Sequence, residues 1–120
     1  MRGMILLAAV ASLLPAACRQ QTAPVTPQTQ ASQVYQIAAL IAGTRYLKNQ
    51  CAYVGLPADG QIELAAYQAA DRRGWQLTSG VAGQSEQLYQ QLLHDATPQA
   101  TQCQEFRQLL QPFLTTLPKA

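Results

Sequence analysis

Three cysteines stand in this chain of 120 residues, and they divide into one and two. Cys18 closes a short N-terminal apolar run, whereas Cys51 and Cys103 lie inside the body of the chain, each close to a predicted helix end. The first reads as a lipid attachment point. In the oxidising compartment that a secretory leader implies, the other two read as a disulfide. Such a bridge makes the tail of an early helix the neighbour of the start of a late one. A link closing about 50 residues stabilises a fold by around 4 kcal/mol on chain-entropy grounds, which can decide folding in a small domain.

The leader is legible residue by residue. Arg2 supplies a positive n-region, Met4 to Leu14 form an apolar h-region broken only by Ser12, and Pro15, Ala16 and Ala17 precede Cys18. That apolar run is about 11 residues, well short of the roughly 20 that a helix needs to cross a bilayer core, so it is a signal peptide over 1–17 and not a permanent span. Small residues ahead of Cys18 resemble a bacterial lipobox, with Pro15 in the place where that pattern usually has Leu. The competing cut, an ordinary one after Ala17, would leave a free thiol in an oxidising compartment. Arg19 follows Cys18 in place of the Asp associated with retention at the inner membrane, so the expected address is the outer membrane, lipid-anchored on the periplasmic side. More than one acyl chain is needed for lasting attachment.

Residues 18–31 form the acylated cysteine and a linker of Gln, Thr, Pro and Ala without apolar periodicity, a composition that cannot offset ordering entropy. The domain then runs over 32–120, about 90 residues, enough for one small core. Its apolar spacing predicts four helices and essentially no sheet. Ser32 is the expected N-cap of the first, with Val34, Ile37, Ala38, Ile41 and Tyr46 or Leu47 along one side and an end near Cys51. Gly55 and Pro57 mark a turn, and Asp59 offers a cap for a second helix whose stripe, Ile62, Ala65, Ala66, Ala69 and Ala70, is mostly small. Arg72, Arg73 and Gly74 close it, with Gly74 at C′ and Trp75 at C″ folding back on the last turn.

A loop with Ser79, Gly80 and Gly83 leads to a third helix bearing Leu88, Tyr89, Leu92 and Leu93. Thr97 and Pro98 start the fourth, Pro98 at its first position, and Cys103, Phe106, Leu109, Leu110, Phe113, Leu114 and Leu117 give the most regular stripe in the chain. Pro112 should kink or end that helix near Gln111, since its ring clash and missing N–H cost about 3 kcal/mol in a straight helix.

Several classes of function are excluded on this inventory. The formal charge is +2, with 8 basic and 6 acidic side chains, and falls to +1 without Arg2; there is no basic stripe for nucleic acid. His94 is the single histidine and no CxxC spacing exists, so no metal site is expected. No nucleophile with an orienting partner stands out, and the glycines lack the strand-to-helix context and the GK[ST] ending of a phosphate loop. The chain reads as a binder without cofactor or small-molecule substrate, not as an enzyme.

The run Ala42-Gly43-Thr44-Arg45-Tyr46-Leu47-Lys48-Asn49-Gln50-Cys51, then Leu56-Pro57, Arg73-Gly74-Trp75, Leu88-Tyr89 and Thr97-Pro98 ahead of Cys103 and Phe106, resembles the PulS/OutS family of pilotins over about Ser32 to Leu117. The resemblance implies an all-α fold, a small four-helix bundle with one disulfide, Cys51 to Cys103. It also implies an outer-membrane lipoprotein of type II secretion that binds the C-terminal segment of the secretin, protects it and carries it to the outer membrane. That segment would fold into a helix in an apolar groove, read through anchors at one-turn spacing. Val34, Ile37, Leu40 and Ile41 on the first helix, with Phe106, Leu109, Leu110 and Phe113 on the fourth, are the groove candidates. Apolar stripes are core more often than contact surface, and spacing alone does not separate Ile37 in a core from Ile37 in a groove. A generic envelope lipoprotein binding an assembly factor or a wall enzyme would share the leash, the bridge and the bundle.

Overall fold

The structure is a computed structural model, and it describes residues 26–77 and 79–120. The expected signal peptide (1–17), Cys18 and the expected linker up to residue 25 lie outside the described residues. The first helix, α1, spans Pro27–Gln50 and begins six residues earlier than Ser32 as its cap would have it. Thr26 is the cap: its Oγ1 accepts the Thr29 N–H at 3.1 Å, and Pro27 at the first helical position gives up a donor that had no partner. Residues 27–31, expected in the linker, are therefore helical.

Helix α2 covers Asp59–Arg72 with Ala58, not Asp59, at the cap. Asp59 lies in the first turn instead, where its carboxylate complements the helix dipole and meets Lys48 at 2.9 Å and Arg45 at 3.4 Å. The other end closes as the sequence predicts. Gly74 has φ 76° and its N–H reaches the Asp71 carbonyl at 2.9 Å, while the Trp75 N–H reaches Ala70 at 2.9 Å. That is a Schellman closure, and Trp75 packs back on the core. Helix α3 spans Val81–Leu93 behind Gly80, so Gly83, expected in the loop, is helical. Helix α4 spans Gln99–Leu109 with Pro98 at the N-cap, one place earlier than expected. Pro112 then forces the break: α4 stops at Leu109 and a short α5 covers Gln111–Leu114.

Side-chain contacts fix the directions. Lys48 on Asp59 makes α2 antiparallel to α1; Gly80 beside Val34 and the Asn49 amide on the Tyr89 hydroxyl make α3 parallel to it. Helix α4 returns antiparallel, with Phe106 edge-on to Tyr46 at 5.6 Å and Leu110 against Gly43. The Cys51–Cys103 disulfide, Cα atoms 5.6 Å apart, pins the end of α1 to α4. This is an all-α, four-helix bundle in which α1 packs on the other three helices.

Two apolar clusters form the core. Ile37, Ala38 and Ile41 of α1 pack on Ile62, Ala65, Ala66 and Ala70 of α2, with Val81 and Phe113 closing the cluster. The alanines let α2 approach closely. Ala42, Tyr46 and Leu47 gather Leu56, Tyr89, Leu110, Leu114 and the disulfide into the second cluster. Fully burying a side chain such as Ile37, Ile41 or Leu47 contributes about 1.5–3 kcal/mol.

Candidate functional site

Helices α3 and α4 both lean on α1 but barely meet each other. The gap between them is a cleft of about 470 Å³. Ala39, Leu40 and Gly43 of α1 line its floor, Leu88 and Leu92 of α3 one wall, and Phe106, Leu109 and Leu110 the other. A missing side chain at Gly43 is what lets Leu110 settle against α1, since a Cβ there would fall 2.9 Å from Leu110 Cδ1.

Exposure separates the cleft from the core. Leu109 is 73 % exposed and Tyr35, at the cleft's margin, 52 %. One exposed leucine is ordinary, but two large apolar side chains at the edge of an apolar cleft mark a surface suited to a partner. Beneath the wall, burial first, then the nearby Asp95 and Tyr89, push the Tyr46 hydroxyl above its ordinary pKa. It stays neutral and packs under Phe106.

Four of the eight groove candidates, Leu40, Phe106, Leu109 and Leu110, come together on this cleft. The other four do not. Ile37, Ile41 and Phe113 are buried in the first core cluster, because α2 and α5 cover that face of α1. Val34 is half-buried against the same cluster beside Gly80. The α3 wall was missing from the expectation. Its signal was present as the pairs Leu88-Tyr89 and Leu92-Leu93: Tyr89 turns to the core, while Leu88 and Leu92, one turn apart, line the cleft.

A charged lattice holds the cleft's supports in place. Arg45 donates to Glu86 at 3.0 Å and lies over the Tyr89 ring at 4.3 Å, so α1 grips α3 while its Nε faces Asp59 of α2. Those hydrogen bonds from Arg45 and then Gln90 hold the Glu86 carboxyl below its usual range. At the far end, Arg107 reaches the Cys51 carbonyl at 3.3 Å and anchors α4 beside the disulfide. His94 caps α3, donating from Nδ1 to the Gln90 carbonyl at 2.8 Å, which is a structural use of the ring.

An open apolar cleft with a one-turn-spaced leucine pair on one wall has the shape and chemistry to take an amphipathic helix. Comparison places the chain more narrowly. Residues 7–115 match the family described as type II secretion system pilotin lipoprotein (PulS_OutS), and the chain belongs to that family. It is 43 % identical to the pullulanase secretion protein PulS of Klebsiella pneumoniae, over 98 % of this chain and 97 % of that protein. Among solved structures it is similar to a chain of the Klebsiella pneumoniae type II secretion system outer membrane complex of PulD, PulS and PulC HR domain. There the TM-score is 0.70 and the identity 44 %, covering 72 % of this chain and 96 % of the other. A pilotin/secretin peptide complex is similar at TM-score 0.69 and 41 % identity, covering 71 % and 92 %. The family is one of outer-membrane-associated lipoproteins and not of enzymes.

Proposed function

We propose that this chain is the pilotin of a type II secretion system: it holds the C-terminal segment of its secretin as an amphipathic helix in the α1/α3/α4 cleft, protects it, and delivers it to the outer membrane. The observation that carries this reading is the open cleft with Leu109 at its lip, in a chain that belongs to the pilotin family and is similar to a pilotin solved with a secretin peptide. A helix about 10 Å across with apolar side chains one turn apart suits a trough whose walls offer Leu88, Leu92, Phe106 and Leu109. Folding on binding gives the partner an ordering cost that its apolar contacts must exceed. Acylation of Cys18 supplies the membrane attachment on the periplasmic side, and the residues between Cys18 and the start of α1 are the tether.

The test is a titration with a synthetic peptide from the C-terminus of the cognate secretin. Binding should raise the helical circular dichroism signal beyond the sum of the parts, and Leu109→Asp should weaken it at least tenfold while the melting curve stays within a few degrees of the parent. A peptide that does not bind, or one indifferent to Leu109→Asp, would overturn the proposal. In cells, Cys18→Ser should leave secretin multimers scarce or stranded at the inner membrane. Normal outer-membrane secretin in that strain would remove the delivery role.

A further inference from the structure

Taking as its basis the reading that a secretin segment lies helical in the cleft, we infer that the guest helix has one direction, its N-terminal end at Asp95 and its C-terminal end at Arg73. Among the described residues lining the cleft, these two alone carry charge, and they have opposite signs. They also stand at different ends. Residues 94–98 join α3 to α4 and shut the trough at one end, with Asp95 in that connection. Arg73 caps the C-terminus of α2, which runs antiparallel to α1, and so reaches the cleft near Tyr35 and Gln36, toward the start of α1.

Each charge is held where it is. Hydrogen bonding from the Thr97 side chain first, and then from the Thr97 N–H at 2.7 Å, holds the Asp95 carboxyl below its ordinary pKa, so it is an anion at neutral pH. The Arg73 guanidinium rests over the Trp75 ring, 5.0 Å from its centroid, and Trp75 is itself packed on the core. A helix presents unsatisfied N–H groups and partial positive charge at its N-terminus and carbonyls with partial negative charge at its C-terminus. With its first turn at Asp95 and its last turn at Arg73, both ends meet a complementary charge. A reversed guest meets a like charge at both. Each matched end favours the bound state roughly two- to fivefold at low salt, so direction is decided even where the apolar contacts are symmetric. The guest therefore runs parallel to α4 and antiparallel to α1, and a secretin segment ending in a free or acidic C-terminus is the better fit.

The experiment places a nitroxide on either the first or the last residue of the secretin peptide and reads amide broadening in the ¹⁵N-labelled whole chain in detergent. The first-residue label should broaden Asp95, Ala96 and Thr97; the last-residue label should broaden Tyr35, Gln36 and Gly74. The exchanged pattern, or equal broadening at both ends from each label, overturns the direction and leaves the secretin reading standing. Absence of binding sinks both. A second arm uses Arg73→Gln with Asp95→Asn, which removes the charges but keeps an acceptor for Thr97. Affinity should fall roughly fourfold or more at low salt and by less at high salt, and unchanged affinity would overturn the assignment.

Discussion

Gly43 of α1 lies so close to Leu110 that a methyl group in place of its hydrogen would fall 2.9 Å from Leu110 Cδ1. Leu110 is buried at 6 % exposure and also lines the cleft wall it shares with Phe106 and Leu109, so this contact couples helix packing to the shape of the guest site. In Gly43→Ala the added methyl meets only the far end of a flexible side chain. The helix-propensity gain of nearly 1 kcal/mol roughly offsets the crowding, and stability should stay within about 1 kcal/mol of the parent. Leu110 has to move toward the trough, so secretin-peptide affinity should fall several-fold. Thermal melts and a titration on the same sample check both halves; an unchanged affinity would uncouple the contact from binding.

The disulfide joins Cys51 and Cys103 across a sequence separation of 52 residues and clasps α4 to the end of α1. Replacing both with Ser frees a loop whose closure is worth up to about 4 kcal/mol, and for a domain of this size even 1–2 kcal/mol lowers Tm by roughly 5–15 °C. Cleft and clasp share α4, so peptide affinity should fall with it. Coincident melting curves for the parent and the Cys51→Ser/Cys103→Ser variant would remove the role assigned to the bridge.

Local chemistry made much of this fold readable. The Gly74-Trp75 closure, the Pro112 break and the cysteine pair are each set by one or two residues whose constraints survive in any context. The start of α1 was hidden because residues 27–33 carry no apolar stripe, although Thr26-Pro27 is the same start signal that Thr97-Pro98 displays. The cleft was half legible. Ile37 and Leu40 lie three residues apart on neighbouring strips of α1, and which strip is core depends on where α2 and α5 cover the helix and where α3 and α4 fail to meet. That is a tertiary fact, absent from the periodicity of α1 itself.

Two glycines with empty surroundings should respond in opposite directions. Neither Gly74 nor Gly83 has an atom within 4 Å of where a Cβ would stand, so sterics with neighbours are not involved. Gly74 has φ 76°, and Gly74→Ala forces an alanine into the left-handed region at a cost of about 1 kcal/mol, lowering Tm by a few degrees. Gly83 sits inside α3 with ordinary helical geometry, and Gly83→Ala should raise Tm through a propensity gain of up to about 1 kcal/mol. Melts of the two single variants side by side are sufficient; a shift of the same sign in both contradicts the backbone argument.

Acid should loosen the grip of α1 on α3 through Glu86. The Arg45 guanidinium, donating at 3.0 Å, and then the Gln90 amide at 3.2 Å hold this carboxyl below its ordinary value of 4.5. A carboxyl whose folded pKa is depressed binds fewer protons folded than unfolded, so its contribution is present above the unfolded pKa and is lost as pH falls through the folded one. Glu86 is exposed, and the effect is small and screened by salt. Glu86→Gln should therefore melt slightly below the parent at pH 6 in low salt, the gap closing as the pH is taken down to about 3. A gap that keeps its size across that range would show that the loss came from packing and not from the charge.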